Sequence, residues 1–120
     1  MNKRTTMVFS KDVRTQLLTK CDNVYFREAK EKKTYPYVVY DLRPYMKRRM
    51  VLELDLWGTR EQEMELQEMA DDIEDLFDSA IFSEPYYIAS FTSNNDMKNV
   101  IDENKDIKHI NLSIDCIYQS

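Results

Sequence analysis

The clearest hydrophobic pattern along this chain is strict alternation over residues 48–57. Met50, Leu52, Leu54 and Leu56 point one way, and Val51, Glu53, Asp55 and Trp57 the other. A period of two predicts a strand with one buried face and one face at least partly wet. The same period recurs over residues 107–118, where Ile110, Leu112, Ile114 and Cys116 oppose His109, Asn111, Ser113 and Asp115. Shorter β-favouring runs fall at residues 24–26, 35–42 and 86–92. Pro36 cannot donate to a ladder and belongs at a strand start or an edge, while Pro44 is read as closing its segment and Pro85 as starting the run at 86–92.

The period changes to 3.6 after Gly58. Leu66, Met69, Ala70, Ile73, Leu76, Phe77 and Ala80 recur at helical spacing over residues 60–79. Thr59 with Gln62 matches a capping box, and Glu61 and Glu63 sit at the positive end of the helix dipole. Gly58 is the only glycine, and it is expected to supply the backbone freedom that this corner needs. A short first helix is expected after Ser10 as N-cap, with Val13, Leu17, Leu18 and Cys21 on its apolar face. Asp22-Asn23 and Asn94-Asn95-Asp96 read as turns, and residues 27–34 and 97–106 as polar connections. The expectation is an α+β fold: a mostly antiparallel sheet of about five strands, one long amphipathic helix packed on it and a short N-terminal helix.

Length adds that residues 1–120 form a single domain. No stretch approaches the roughly 18 apolar residues of a membrane helix. The first residues carry basic side chains without an apolar run of secretory length, so a chain working in the cytoplasm, with no membrane partner, is expected. The formal net charge is -5, and it divides unevenly. Residues 1–49 hold 13 Lys/Arg and 5 Asp/Glu, and residues 50–120 hold 4 and 17. Two oppositely charged halves attract within the fold or between copies.

Candidate chemistry is sparse. His109 is the sole histidine and reads as an ordinary surface or edge residue, and Cys21 and Cys116 lack the paired spacing of zinc sites. One glycine excludes both a phosphate-cradling loop and a dinucleotide fingerprint. No catalytic residue, metal site or cofactor is expected. Glu65, Glu68, Asp72 and Asp75 form an acidic row on the long helix, read either as a solvated face or as a surface turned toward a channel. Lys47, Arg48 and Arg49, with Tyr35, Tyr37, Tyr40 and Tyr45, read as a protein interface or as a nucleic-acid patch with stacking aromatics. The acidic calculated pI of about 4.9 favours the protein interface.

Three segments together resemble a known family. Tyr35-Pro36-Tyr37-Val38-Val39-Tyr40, then Leu52-Glu53-Leu54-Asp55-Leu56-Trp57-Gly58-Thr59 followed by a long helix, then the alternating run from Ile110 to Tyr118 are similar, in order and spacing, to phage tail completion proteins, also called tail terminators or head–tail joining proteins. The chain departs from that family in lacking glycine-rich loops. The resemblance implies a non-enzymatic structural protein of a phage or prophage virion. It would assemble as a ring, commonly of six, that caps the tail tube and joins it to the head connector. DNA would pass through without specific binding. The partners implied are a second copy, the tail tube protein and the head connector proteins. The alternative from the basic cluster is a small nucleic-acid-binding regulatory protein.

Overall fold

The computed structural model describes residues 3–120, with side chains from residue 6, so Met1 and Asn2 lie outside the described residues. The elements run α1 (Lys3–Leu17), β1 (Val24–Phe26), β2 (Tyr37–Met46), β3 (Arg49–Thr59), a 3-10 turn (Arg60–Gln62), α2 (Glu63–Phe77), β4 (Ile81–Glu84), β5 (Tyr87–Val100) and β6 (Ile107–Gln119). The class is α+β, as expected. The sheet differs in detail: it has six strands in the order β1-β2-β3-β6-β5-β4, and it is mixed. β1 runs parallel to β2, while the other pairings are antiparallel.

The alternation read from the sequence sets both faces. Met50, Leu52, Leu54 and Leu56 of β3 lie in register with Cys116, Ile114, Leu112 and Ile110 of β6, and all eight are buried in one core with α1 and α2. From α2 the core takes Leu66, Met69, Ala70, Ile73 and Phe77, the stripe that the helical period marks.

α1 is longer than expected. It begins at Lys3, which puts Ser10 mid-helix rather than at an N-cap. The reason is Phe9, which lies one turn before Val13 and is fully buried beside it. Its ring packs among Tyr87, Phe91, Tyr118 and Phe82, with centroids 4.7–6.3 Å away. Two sheet tyrosines fasten the helix. The Tyr40 hydroxyl donates to the Ser10 carbonyl at 3.0 Å, and the Tyr87 hydroxyl donates to the Asp12 carboxylate.

Three punctuation signals act differently from their reading. Pro44 does not close β2, which continues to Met46. β1 pairs only with residues 38–40, so beyond them the missing amide of Pro44 interrupts no ladder on that side. Asn94-Asn95-Asp96 makes a bulge inside β5, not a turn between elements: the register with β6 shifts between Ser93 and Asp96. Asn95 has φ 57°, and Asn94 accepts the Asp96 amide at 2.9 Å. Pro85 does not start a strand. With Tyr86 it forms the two-residue connection of the β4–β5 hairpin, closed by Glu84 opposite Tyr87.

Candidate interaction surface

The β2–β3 hairpin closes through Met46 opposite Arg49, with a register irregularity between Pro44 and Met46. Lys47 and Arg48 form its turn, and Arg48 takes the left-handed region at φ 65°. The tip is held from the side, because the Tyr118 amide donates to the Arg48 carbonyl at 2.9 Å. Seven consecutive residues, 43–49, are exposed. Tyr45 and Met46 keep 52% and 60% of their surface, beside Lys47, Arg48 and Arg49. Among the described residues no carboxylate pairs with these three cations. Farther along the hairpin, Arg43 is paired with Glu53 and lies 3.9 Å from Asp41. The two halves of the chain therefore neutralise each other on the sheet but not at its tip.

Tyr35 and Tyr37 are not part of this tip. Tyr37 opens β2 at its opposite end, nine residues from Met46 and so ~30 Å away in extended chain, and Tyr35 lies just before it. There they join a second aromatic group on the face of the sheet away from the helices. Tyr37 is opposite Trp57, with near-parallel rings 6.2 Å apart, and Tyr35 and Tyr25 flank it. Tyr37 is buried there outside the main core. Its hydroxyl is pushed up to about 12, first by burial and then by its tyrosine neighbours. The sequence-derived cluster is thus split: Tyr45 alone of the tyrosines shares the basic tip, and Tyr40 is buried under α1.

His109 is not an edge residue. β6 is central, and the His109 ring stacks on Trp57 at 3.7 Å with its side chain 12% exposed. Its Nε2 lies 2.7 Å from Asp55 Oδ1, which also accepts Asn111 Nδ2 at 3.0 Å. The His109 hydrogen bond is the main cause holding the Asp55 carboxyl below the usual carboxylate range. The thiols of Cys21 and Cys116 are buried elsewhere; Cys116 faces the helices, where burial pushes it up to about 12. Among the described residues, no group of three His, Cys, Asp or Glu is placed to hold a metal ion.

α2 carries the opposite charge. Gln62 accepts the Thr59 amide at 3.0 Å and donates to the Tyr35 carbonyl at 3.2 Å, which anchors the entry to the helix. Ser79, at φ 65°, ends it. α2 itself holds seven carboxylates and no Lys or Arg. Glu65, Glu68, Asp72 and Asp75 are all exposed, as the helical period expects, and form a row on the outer face. Among the described residues, only Glu63 of α2 has a cation within 4 Å: Lys108, at 3.7 Å. Beside the first turn of α2, a groove of about 590 Å³ opens toward the β5–β6 connection, lined in part by Met64, Gln67, Val100 and Ile101.

No family model and no curated protein matches the chain. Solved structures do match in shape. One, 10% identical, covers 92% of this chain and 96% of its own length with a TM-score of 0.62. At that identity the likeness establishes the fold alone. No helix is long and apolar enough to cross a membrane among the described residues.

Proposed function

We propose that this chain is a tail completion protein of a long-tailed phage or prophage, a ring subunit that caps the tail tube and joins it to the head connector. The observation that carries this reading is where the three resembling segments fall. The first two are the arms of one hairpin and the third lies far from them in sequence, yet together they occupy β2, β3 and β6, which are hydrogen-bonded neighbours in the sheet. α2 follows directly from the second of them. The likeness therefore covers one contiguous structural block. The protein acts by assembly, not by catalysis, with the tail tube protein, the connector and further copies of itself as partners. It works in the virion neck after assembly in the host cytoplasm, and DNA passes through the ring without specific binding.

Light scattering after size exclusion tests this, with the chain alone and then mixed with the tail tube protein of the same gene cluster. A ring, or co-elution with the tube protein, supports the reading. A monomer that ignores the tube protein overturns it. Salt-dependent retention on nucleic acid would then favour a regulatory binding protein acting through Lys47, Arg48 and Arg49.

A further inference from the structure

α2 accumulates like charges that, Glu63 aside, have no cation within 4 Å among the described residues. Glu68 with Asp72 and Asp71 with Asp75 are four apart, and Glu65 with Glu68 and Asp72 with Asp75 are three apart. Like charges at these spacings face one another on a helix and destabilise it. The negative end of the helix dipole adds to this, because Glu74 and Asp75 fall in the last turn, which has no basic residue. The sheet shows the contrast, since Asp41, Glu53 and Asp96 each have an Arg or Lys within 4 Å. The row on α2 is exposed and faces away from the core that holds the helix, so nothing in the packing requires these charges.

The hairpin tip is its complement. Lys47, Arg48 and Arg49 are consecutive, exposed and unpaired by carboxylates within 4 Å among the described residues. Two large exposed side chains of interface-favoured type, Tyr45 and Met46, precede them. Pairing of β2 with β3 up to Met46 and Arg49, and of the tip with β6 on one side, presents it as a rigid projection, which lowers the entropy lost on docking. Within one chain no ion pair joins the two sets among the described residues. They are also different surfaces, so contact between them across two copies is head-to-tail, the kind that closes into a ring when the rotation permits.

We infer that the outer face of α2 is the seat for the β2–β3 hairpin tip of a second copy. This inference rests on the ring reading and assigns its subunit contact. It also separates two uses of the acidic face: one that binds a neighbouring subunit, and one that lines a DNA channel and repels the DNA.

Two variants decide it, each checked for native circular dichroism. One reverses the helix (Glu65→Lys, Glu68→Lys, Asp72→Lys, Asp75→Lys). The other reverses the hairpin (Lys47→Glu, Arg48→Glu, Arg49→Glu). Light scattering is read at low salt in the presence of the tail tube protein. Each variant alone presents two surfaces of the same sign, and its self-association is expected to weaken at least about tenfold. Mixed in equal amounts, the variants again offer opposite surfaces at every junction. Assembly is expected to return to within about threefold of the unmodified chain, with the two alternating. If the helix-reversed variant assembles normally by itself, or the mixture fails to recover, the docking is overturned while the ring reading stands. If the unmodified chain remains a monomer that ignores the tube protein, both fall.

Discussion

α1 and α2 have the same length and pack on the same face of one sheet, yet they are held in opposite ways. α2 is seated by a stripe of five buried residues spread over its whole length. α1 is seated through a few concentrated contacts: Phe9 among four rings, Val13 and Leu17 behind it, and the tyrosine hydrogen bonds to Ser10 and Asp12. Their charges are opposed as well. Residues 3–17 hold four cations and one carboxylate, while residues 63–77 hold seven carboxylates and no cation. Distributed apolar burial lets a helix tolerate an electrostatically unfavourable outer face. A helix held at a few points depends on each of them.

The sharpest way to break that contrast is Phe9→Ala. Truncating a buried aromatic side chain in a packed core costs about 3–5 kcal/mol, as lost transfer energy plus the cavity left behind. Phe9 is completely buried, so the urea midpoint is expected to fall steeply with little change in slope. A loss below about 1 kcal/mol would mean that α1 is held as diffusely as α2.

Next in size is Tyr87→Phe, which leaves the Asp12 carboxylate without the donor it has in the fold. A deleted partner to a part-buried charged group costs on the order of 1–3 kcal/mol. The variant also carries a pH signature. The Tyr87 hydroxyl is held well above its ordinary value, first by burial and then by its hydrogen bond to Asp12. The folded chain therefore keeps a proton that the unfolded chain releases. Stability from this group is whole below about pH 10 and declines as the pH rises further. Thermal melts from neutral to alkaline pH should show a shallower decline in Tyr87→Phe than in the unmodified chain. An equal decline would place the alkaline sensitivity elsewhere, with Tyr37, Tyr40, Tyr118, Cys21 and Cys116 as the other raised groups.

The two helices also mark how far the fold was legible before it was seen. α2 could be read almost residue by residue, because seven apolar positions at one period leave a single solution. Half of α1 could be read. Phe9 stands in a short apolar run with Met7 and Val8, both of which are exposed, and its partners on β5 and β6 lie about eighty to a hundred and ten positions away, so tertiary packing decides which of the three is buried. The central strands were legible through alternation. β4 was not, because four largely exposed residues carry no period and exist as a strand only through pairing with β5. Asn94 to Asp96 has the chemistry of a turn and also of a bulge, and pairing with β6 chooses between them. At the candidate surface, the acidic row follows from helical spacing alone. The division of the tyrosines does not, because sequence proximity places Tyr35 near Lys47 while an extended strand carries them to opposite ends.

A smaller effect, of opposite sign, tests the outer face of α2. Glu68→Gln with Asp72→Asn removes four like-charge spacings at once, Glu65–Glu68, Glu68–Asp71, Glu68–Asp72 and Asp72–Asp75, which should raise the stability of the isolated subunit by on the order of 1 kcal/mol at low salt. The gain should shrink as salt screens the remaining charges. A loss of stability would mean that cations of the same chain reach these carboxylates in solution, and the contrast between a neutralised sheet and an unrelieved helix would fail. The subunit contact proposed for that face would lose its motive as well.

The smallest expected effect lies at the entry to α2. Gly58 invites the reading that its corner needs angles open only to glycine, but its φ is not positive. A Cβ built there would lie 3.4 Å from both Gln62 Oε1 and Leu66 Cδ1, a light contact with two side chains and not a collision with backbone. Gly58→Ala therefore sets a modest gain, about 0.4–1 kcal/mol from a less flexible unfolded chain, against a slight displacement of the Gln62 amide that accepts the Thr59 amide. The two should nearly cancel, leaving the melting temperature within a few degrees of the unmodified chain. A large loss would show that the Gln62 anchor, rather than the apolar stripe, holds α2. The helix would then depend on a single point, as α1 does, and the contrast between them would disappear.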